Sequence, residues 1–111
     1  MRFGLGDDVI QVKQPPSAVA NTGTMFVYQF PEDTFVHSNP EGKITTIVRQ
    51  KTGDALRELP SWMNYDAGLL QVRGVVPSDA PETITLVATG RDQWGGEVST
   101  EVQIQIRVLA N

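Results

Sequence analysis

A small set of side chains in these 111 residues carries chemistry, and its composition excludes most enzymatic machinery. Cysteine is absent and histidine occurs once, at His37. That removes thiolate nucleophiles, thiolate zinc sites and multi-histidine metal centres. His37 is followed by Ser38, but no nucleophile elbow and no glycine cluster for an oxyanion hole accompany them. The sequence therefore predicts an ordinary surface-loop histidine. The paired carboxylates Asp7-Asp8 and Glu32-Asp33 are adjacent in sequence. Neighbours in extended chain point to opposite faces, so neither pair converges for glycoside hydrolysis. Gly4-Leu5-Gly6 is a lone glycine pair with no strand before it and no helix after, a poor phosphate cradle. The expectation is a protein that is not an enzyme and requires no cofactor. Trp94 is different in kind. It sits in Arg91-Asp92-Gln93-Trp94-Gly95-Gly96, a turn-rich connector where an exposed aromatic is costly and where binding surfaces concentrate. Trp94, Arg91 and Asp92 are the candidate ligand-binding residues, for a glycan or a protein surface. The alternative is that Trp94 folds back over its own domain or packs on a neighbouring one.

The elements that would hold these residues are strands. Val98, Thr100, Val102, Ile104, Ile106 and Val108 alternate with Ser99, Glu101, Gln103, Gln105 and Arg107, the period of a half-buried strand. Ile84, Leu86, Ala88 and Gly90 alternate likewise with Thr83, Thr85, Val87 and Thr89. The two runs read as an antiparallel hairpin with Trp94 at its tip. Earlier strands are expected at Val9–Val12, Thr24–Phe30, Lys43–Gln50 and Leu69–Arg73, with Pro and Gly between them. Asp54-Ala55-Leu56-Arg57-Glu58-Leu59 is the one helical candidate, a single turn capped by Asp54 and stopped by Pro60. The reading is an all-β antiparallel sandwich of about seven strands. Residues 1–20 form an N-terminal strand or linker and 21–111 the sandwich. With 9 basic and 13 acidic residues the net charge is −4, the opposite of a nucleic-acid binder. No run of about 18 apolar residues exists to insert in a membrane. Met1–Asp8 lacks the apolar core of a signal peptide, so the chain reads either as intracellular or as one module of a longer chain.

Four stretches in order resemble the dystroglycan-type cadherin-like domain, grouped with the Ig-like domains of bacterial surface proteins. They are Phe26–Phe35, Leu59-Pro60-Ser61-Trp62-Met63-Asn64-Tyr65-Asp66, Leu70–Pro77 and Asp92-Gln93-Trp94-Gly95. The resemblance implies an immunoglobulin/cadherin-like fold. It also implies an extracellular or cell-surface location within a larger chain, and an adhesion, interaction or spacing role with neighbouring modules, cell-surface proteins or glycans as partners. The alternative is a carbohydrate-binding accessory module, with Trp94 and Tyr65 as aromatic contacts. Trp62 in the tryptophan motif is expected to be core, nearly fully buried. Such modules often bind calcium at their ends, and Glu32, Asp33, Asp66 and Asp92 are the carboxylates at matching positions. The acidic pair that often follows the first bend is replaced here by His37-Ser38-Asn39, which weakens a hard-cation site that needs six to eight oxygens. The competing reading of Asp66 and Asp92 is that they accept hydrogen bonds from backbone N–H groups of their own turns. Gly74, just after a strand, is expected to mark positive φ or close backbone approach.

Overall fold

Ten strands and no helix make up residues 10–108, the part of the chain that the computed structural model describes. They are β1 (Ile10–Val12), β2 (Ala18–Asn21), β3 (Met25–Gln29), β4 (Phe35–His37), β5 (Thr45–Thr52), β6 (Ala55–Arg57), β7 (Met63–Asp66), β8 (Gln71–Val75), β9 (Thr83–Arg91) and β10 (Glu97–Arg107). A five-stranded sheet in the order β2-β10-β9-β5-β6 faces a three-stranded sheet in the order β3-β8-β7. The remaining two strands, β1 and β4, form a short antiparallel ribbon. The all-β sandwich expected from the alternation is what forms. Its strand count exceeds the expected seven because short edge strands are added to the long alternating runs.

The core follows from the alternation. Ile84, Leu86 and Ala88 of β9 and Val102, Ile104 and Ile106 of β10 meet Phe26 and Tyr28 of β3 and Val72 of β8. Their polar neighbours in sequence point away, as the two-residue period requires. Tyr28 packs edge-on against Phe30, with ring centroids 4.9 Å apart, and Phe30 edge-on against Tyr65 at 6.3 Å. The Tyr28 hydroxyl donates to the Pro16 carbonyl at 2.6 Å, so the polar tip of a buried ring is satisfied.

Several expectations change. The predicted helical turn at 54–59 is instead an edge strand, because Gly53 (φ +62°) and Asp54 form a two-residue hairpin turn between Thr52 and Ala55. The sandwich is not wholly antiparallel: β2 pairs parallel with β10, Ala18 opposite Ile104 through Asn21 opposite Arg107. The Pro15-Pro16 break allows the switch, since β1 on one side of it pairs with β4 and β2 on the other side with β10. Trp62 is only partly buried at the edge of the core rather than nearly enclosed. It immediately precedes β7, an edge strand of the smaller sheet, so one flank stays open. Gly74 marks close approach and not positive φ: a Cβ there would lie 2.0 Å from the Trp62 carbonyl oxygen.

Register fixes where the ends lie. Ile10 pairs with His37, near the tip of the β9–β10 hairpin, while β10 runs away from that tip to Arg107 beside Asn21. The described chain thus begins at the tip end of the sandwich and leaves at the other. Val9, Asp7-Asp8 and Gly4-Leu5-Gly6 lie outside the described residues.

Candidate functional site

The β9–β10 hairpin has nine registered pairs, from Gln105 opposite Thr83 to Glu97 opposite Arg91. Beyond the last pair the chain turns through Asp92–Gly96. Asp92 N–H donates to the Gly96 carbonyl at 2.9 Å, and Gly95 supplies the left-handed step (φ +91°). One oxygen of the Asp92 carboxylate, Oδ1, accepts from Trp94 N–H at 2.9 Å and Gly96 N–H at 2.8 Å. Asp92 is therefore a turn carboxylate of the kind the alternative reading describes.

Its other oxygen does something the sequence did not announce. Asp92 Oδ2 lies 2.9 Å from His37 Nε2, and the side chains are 3% (His37) and 1% (Asp92) exposed. The loop histidine expected at the surface is buried. His37 Nδ1 accepts from Asn39 N–H at 3.0 Å, which assigns the ring proton to Nε2, donating to Asp92. The imidazole is packed closely on Gly42, where any Cβ would sit 2.3 Å from the ring. Trp94 covers it from the hairpin side, with ring centroids 5.6 Å apart and planes at 60°. The hydrogen bond from His37 holds the Asp92 carboxyl below the usual carboxylate range, aided by the Gly96 and Trp94 amides and opposed by desolvation. Both ring nitrogens of His37 are engaged, so neither is free to act as a base.

Gln93 completes the joint between the hairpin tip and the loop after β4. Its side-chain amide donates to the Glu41 carbonyl at 2.9 Å and its oxygen accepts from Lys43 N–H at 2.8 Å. Trp94 itself remains 52% exposed on this pinned tip. Arg91 does not join it. Its guanidinium makes Nε and Nη2 contacts of 2.9 and 2.7 Å to Glu97 Oε2, across the last pair of the hairpin. Of the three residues expected to bind ligand together, Asp92 is buried as a support, while Trp94 and Arg91 are both exposed, Arg91 beside its cross-strand partner Glu97.

The four carboxylates of the calcium reading are not brought together. Asp33 is exposed and pairs with Lys13 Nζ at 3.0 Å, which lowers its proton affinity. Asp66 Oδ1 accepts from Leu69 N–H at 3.2 Å in the β7–β8 turn. Glu32 is exposed on the bend after β3, and Asp92 is committed to His37. Among the described residues no group of three or more His, Asp or Glu is placed to hold a metal ion. Tyr65, the other proposed aromatic contact, is half-buried, and its hydroxyl is 2.6 Å from Thr46 Oγ1, bridging the two sheets.

Comparison with known proteins adds to this geometry. No family model matches the chain, and no curated protein matches it in sequence. Solved structures do match its shape. A domain of an endo-fucoidan hydrolase of glycoside hydrolase family 107 superposes over 96% of this chain with a TM-score of 0.68 and 11% identity. A putative α-galactosidase from Bacteroides fragilis matches over 87% of the chain, with a TM-score of 0.58 and 15% identity. The M3 domain of titin matches over 88%, with a TM-score of 0.52 and 14% identity. The fold is an immunoglobulin-like β-sandwich. The chain spans 14% and 17% of the two hydrolase-related chains but 96% of the titin domain. At these identities the likeness concerns architecture alone.

Proposed function

We propose that this immunoglobulin-like sandwich is a non-catalytic, dystroglycan-type module of a larger extracellular or cell-surface chain. It acts by presenting the Trp94 end to a partner surface. The observation that carries this reading is a half-exposed tryptophan on a tip pinned by the His37–Asp92 pair and by Gln93. A large aromatic face held in place loses little conformational entropy on binding. The engaged imidazole supports a binding role over a catalytic one.

The partner we favour is a neighbouring module or protein surface. A carbohydrate-binding accessory role is the second reading, favoured by the hydrolase-related neighbours in which a similar domain is a small part of a longer chain. With Tyr65 turned towards Thr46, Trp94 is the aromatic platform left for it. A glycan array, followed by an NMR titration monitoring the Trp94 indole N–H, separates the two. Saturable movement with a sugar selects the accessory role, and movement only with an adjoining module or surface protein selects the first. An indole that moves with neither, while other surface resonances do, refutes the Trp94 reading.

A further inference from the structure

At the same end of the sandwich as the Trp94 tip, but lined by other residues, a cleft of about 410 Å³ opens between the two sheets, in the size range of small-molecule sites. Its walls are Phe30 after β3, Phe35 of β4, Tyr65 of β7 and Leu70 of the β7–β8 turn. Small residues lie among these bulky ones. Ala67 and Gly68 form one lip, and Phe35 is drawn onto Gly90, where a Cβ would lie 2.8 Å from its ring. The polar groups on it are few. Tyr65 and Thr46 supply a hydroxyl pair, and Glu32 is the one charged residue lining the cleft. Glu32 is exposed and, among the described residues, has no ion-pair partner.

Leu70 adds an independent sign. It is the one non-glycine residue of positive φ among the described residues, at +54°. Glycine or asparagine would adopt that backbone at less cost. Gln29 holds the strained segment, its amide donating to the Leu69 carbonyl at 2.7 Å, while Phe30 N–H donates to the Leu70 carbonyl at 2.9 Å. The result is a leucine side chain kept in the cleft wall by a backbone that disfavours it.

We infer that this cleft is a binding site for a small organic ammonium whose apolar body is about the size of one aromatic ring. The rings and Leu70 take the body, the hydroxyl pair orients it, and the Glu32 carboxylate meets the cationic head. A net charge of −4 favours approach of a cation within a Debye length, ~8 Å at physiological salt.

The test is an NMR titration of the full chain with three probes that share a phenethyl body and differ in the charge of the head group: phenethylammonium, phenethyl alcohol and 3-phenylpropionate. Saturable shifts of the Leu70 methyls and the Tyr65 ring are expected with phenethylammonium, with Kd of about 1 mM, ordinary for some ten heavy atoms. The alcohol should bind about two- to fivefold more weakly, the span of one exposed ion pair, and the carboxylate more weakly still. Glu32→Gln should bring the ammonium to the affinity of the alcohol. Ala67→Phe, at an exposed lip residue, should occlude the cleft and abolish the shifts. Should that variant fail to fold, Leu70→Gly removes the wall without backbone strain and should weaken the ammonium at least threefold. Shifts that stay linear with concentration overturn the inference, as does equal affinity for ammonium and carboxylate. So does perturbation confined to the Trp94 indole, an outcome that leaves the proposed role of the tip standing.

Discussion

Trp94→Ala tests the tip directly, and the structure sets its magnitude. The residue is 52% exposed, so of a tryptophan's roughly 250 Å² about 120 Å² is withdrawn from water. At about 25 cal/mol/Å² this corresponds to an upper limit of about 3 kcal/mol. Alanine keeps the backbone and Cβ share of that area, and the unfolded chain buries part of the ring as well. The expected loss is therefore about 1–2 kcal/mol, including the aromatic contact with His37. That is more than the figure of under about 1 kcal/mol expected for a loop residue with no structural partner. For a domain of this size it lowers Tm by roughly 5–15 °C. Urea denaturation read by circular dichroism should show a lower midpoint with an unchanged slope, because the native fold persists. Binding to the partner surface should fall by tenfold or more, the loss of one central anchor. A stability loss above about 4 kcal/mol would mean that the ring is core and the surface reading wrong. Unchanged stability together with unchanged binding would place the functional surface elsewhere.

Gly74→Ala should cost about 3 kcal/mol or more, since its Cβ would sit 2.0 Å from the backbone oxygen of Trp62 and force β7 from β8. Gly53→Ala, at φ +62° in open space, is the control and should cost only about 1–2 kcal/mol in the same denaturation assay. Trp62→Ala removes a partly buried ring and should cost about 2–4 kcal/mol, somewhat less than the ~3–5 kcal/mol of a fully buried tryptophan. Asp92 has a lowered proton affinity in the folded state, so its contribution is present above the ordinary carboxylate range and lost as pH falls below about 4. Melts between pH 2.5 and 7 should therefore, on the order of these endpoints, show an acid limb that Asp92→Asn flattens. Asp33→Asn should leave that limb in place, because the Asp33–Lys13 pair is exposed. A limb that survives Asp92→Asn refutes the assignment.

The long hairpin was readable because its alternation is sustained over two runs, from Thr83 to Arg91 and from Glu97 to Arg107. A two-residue period over that length commits one whole face to the core, although β9, central in the larger sheet, also has Val87 and Thr89 of its other face buried. The turn role of Asp66 and Asp92 was readable too, since Asp before Gly-containing loops commonly accepts local N–H bonds. The edge strand β6 was not. Ala55-Leu56-Arg57 has helix-forming composition, and only the Gly53-Asp54 turn decides its state, by pairing Thr52 with Ala55. Composition loses there to turn geometry.

His37 shows the harder limit. Its burial depends on Asp92, 55 residues later, on Gly42 lying flat against the ring, and on Asn39 setting the tautomer. None of these is local in a strand period, so the residue reads as a loop histidine until the loop after β4 meets the hairpin tip. The cleft is illegible for the same reason, being a space left by three separate segments. Yet both features come from one arrangement. The loop after β4 is drawn up to the β9–β10 tip by His37 and Gln93, and Phe35 follows it onto Gly90. In that arrangement Trp94 is half-exposed at the tip and the cleft lies beside Tyr65. Loosening the His37–Asp92 pair should therefore disturb the presented ring and the cleft together, although no side chain is shared between them.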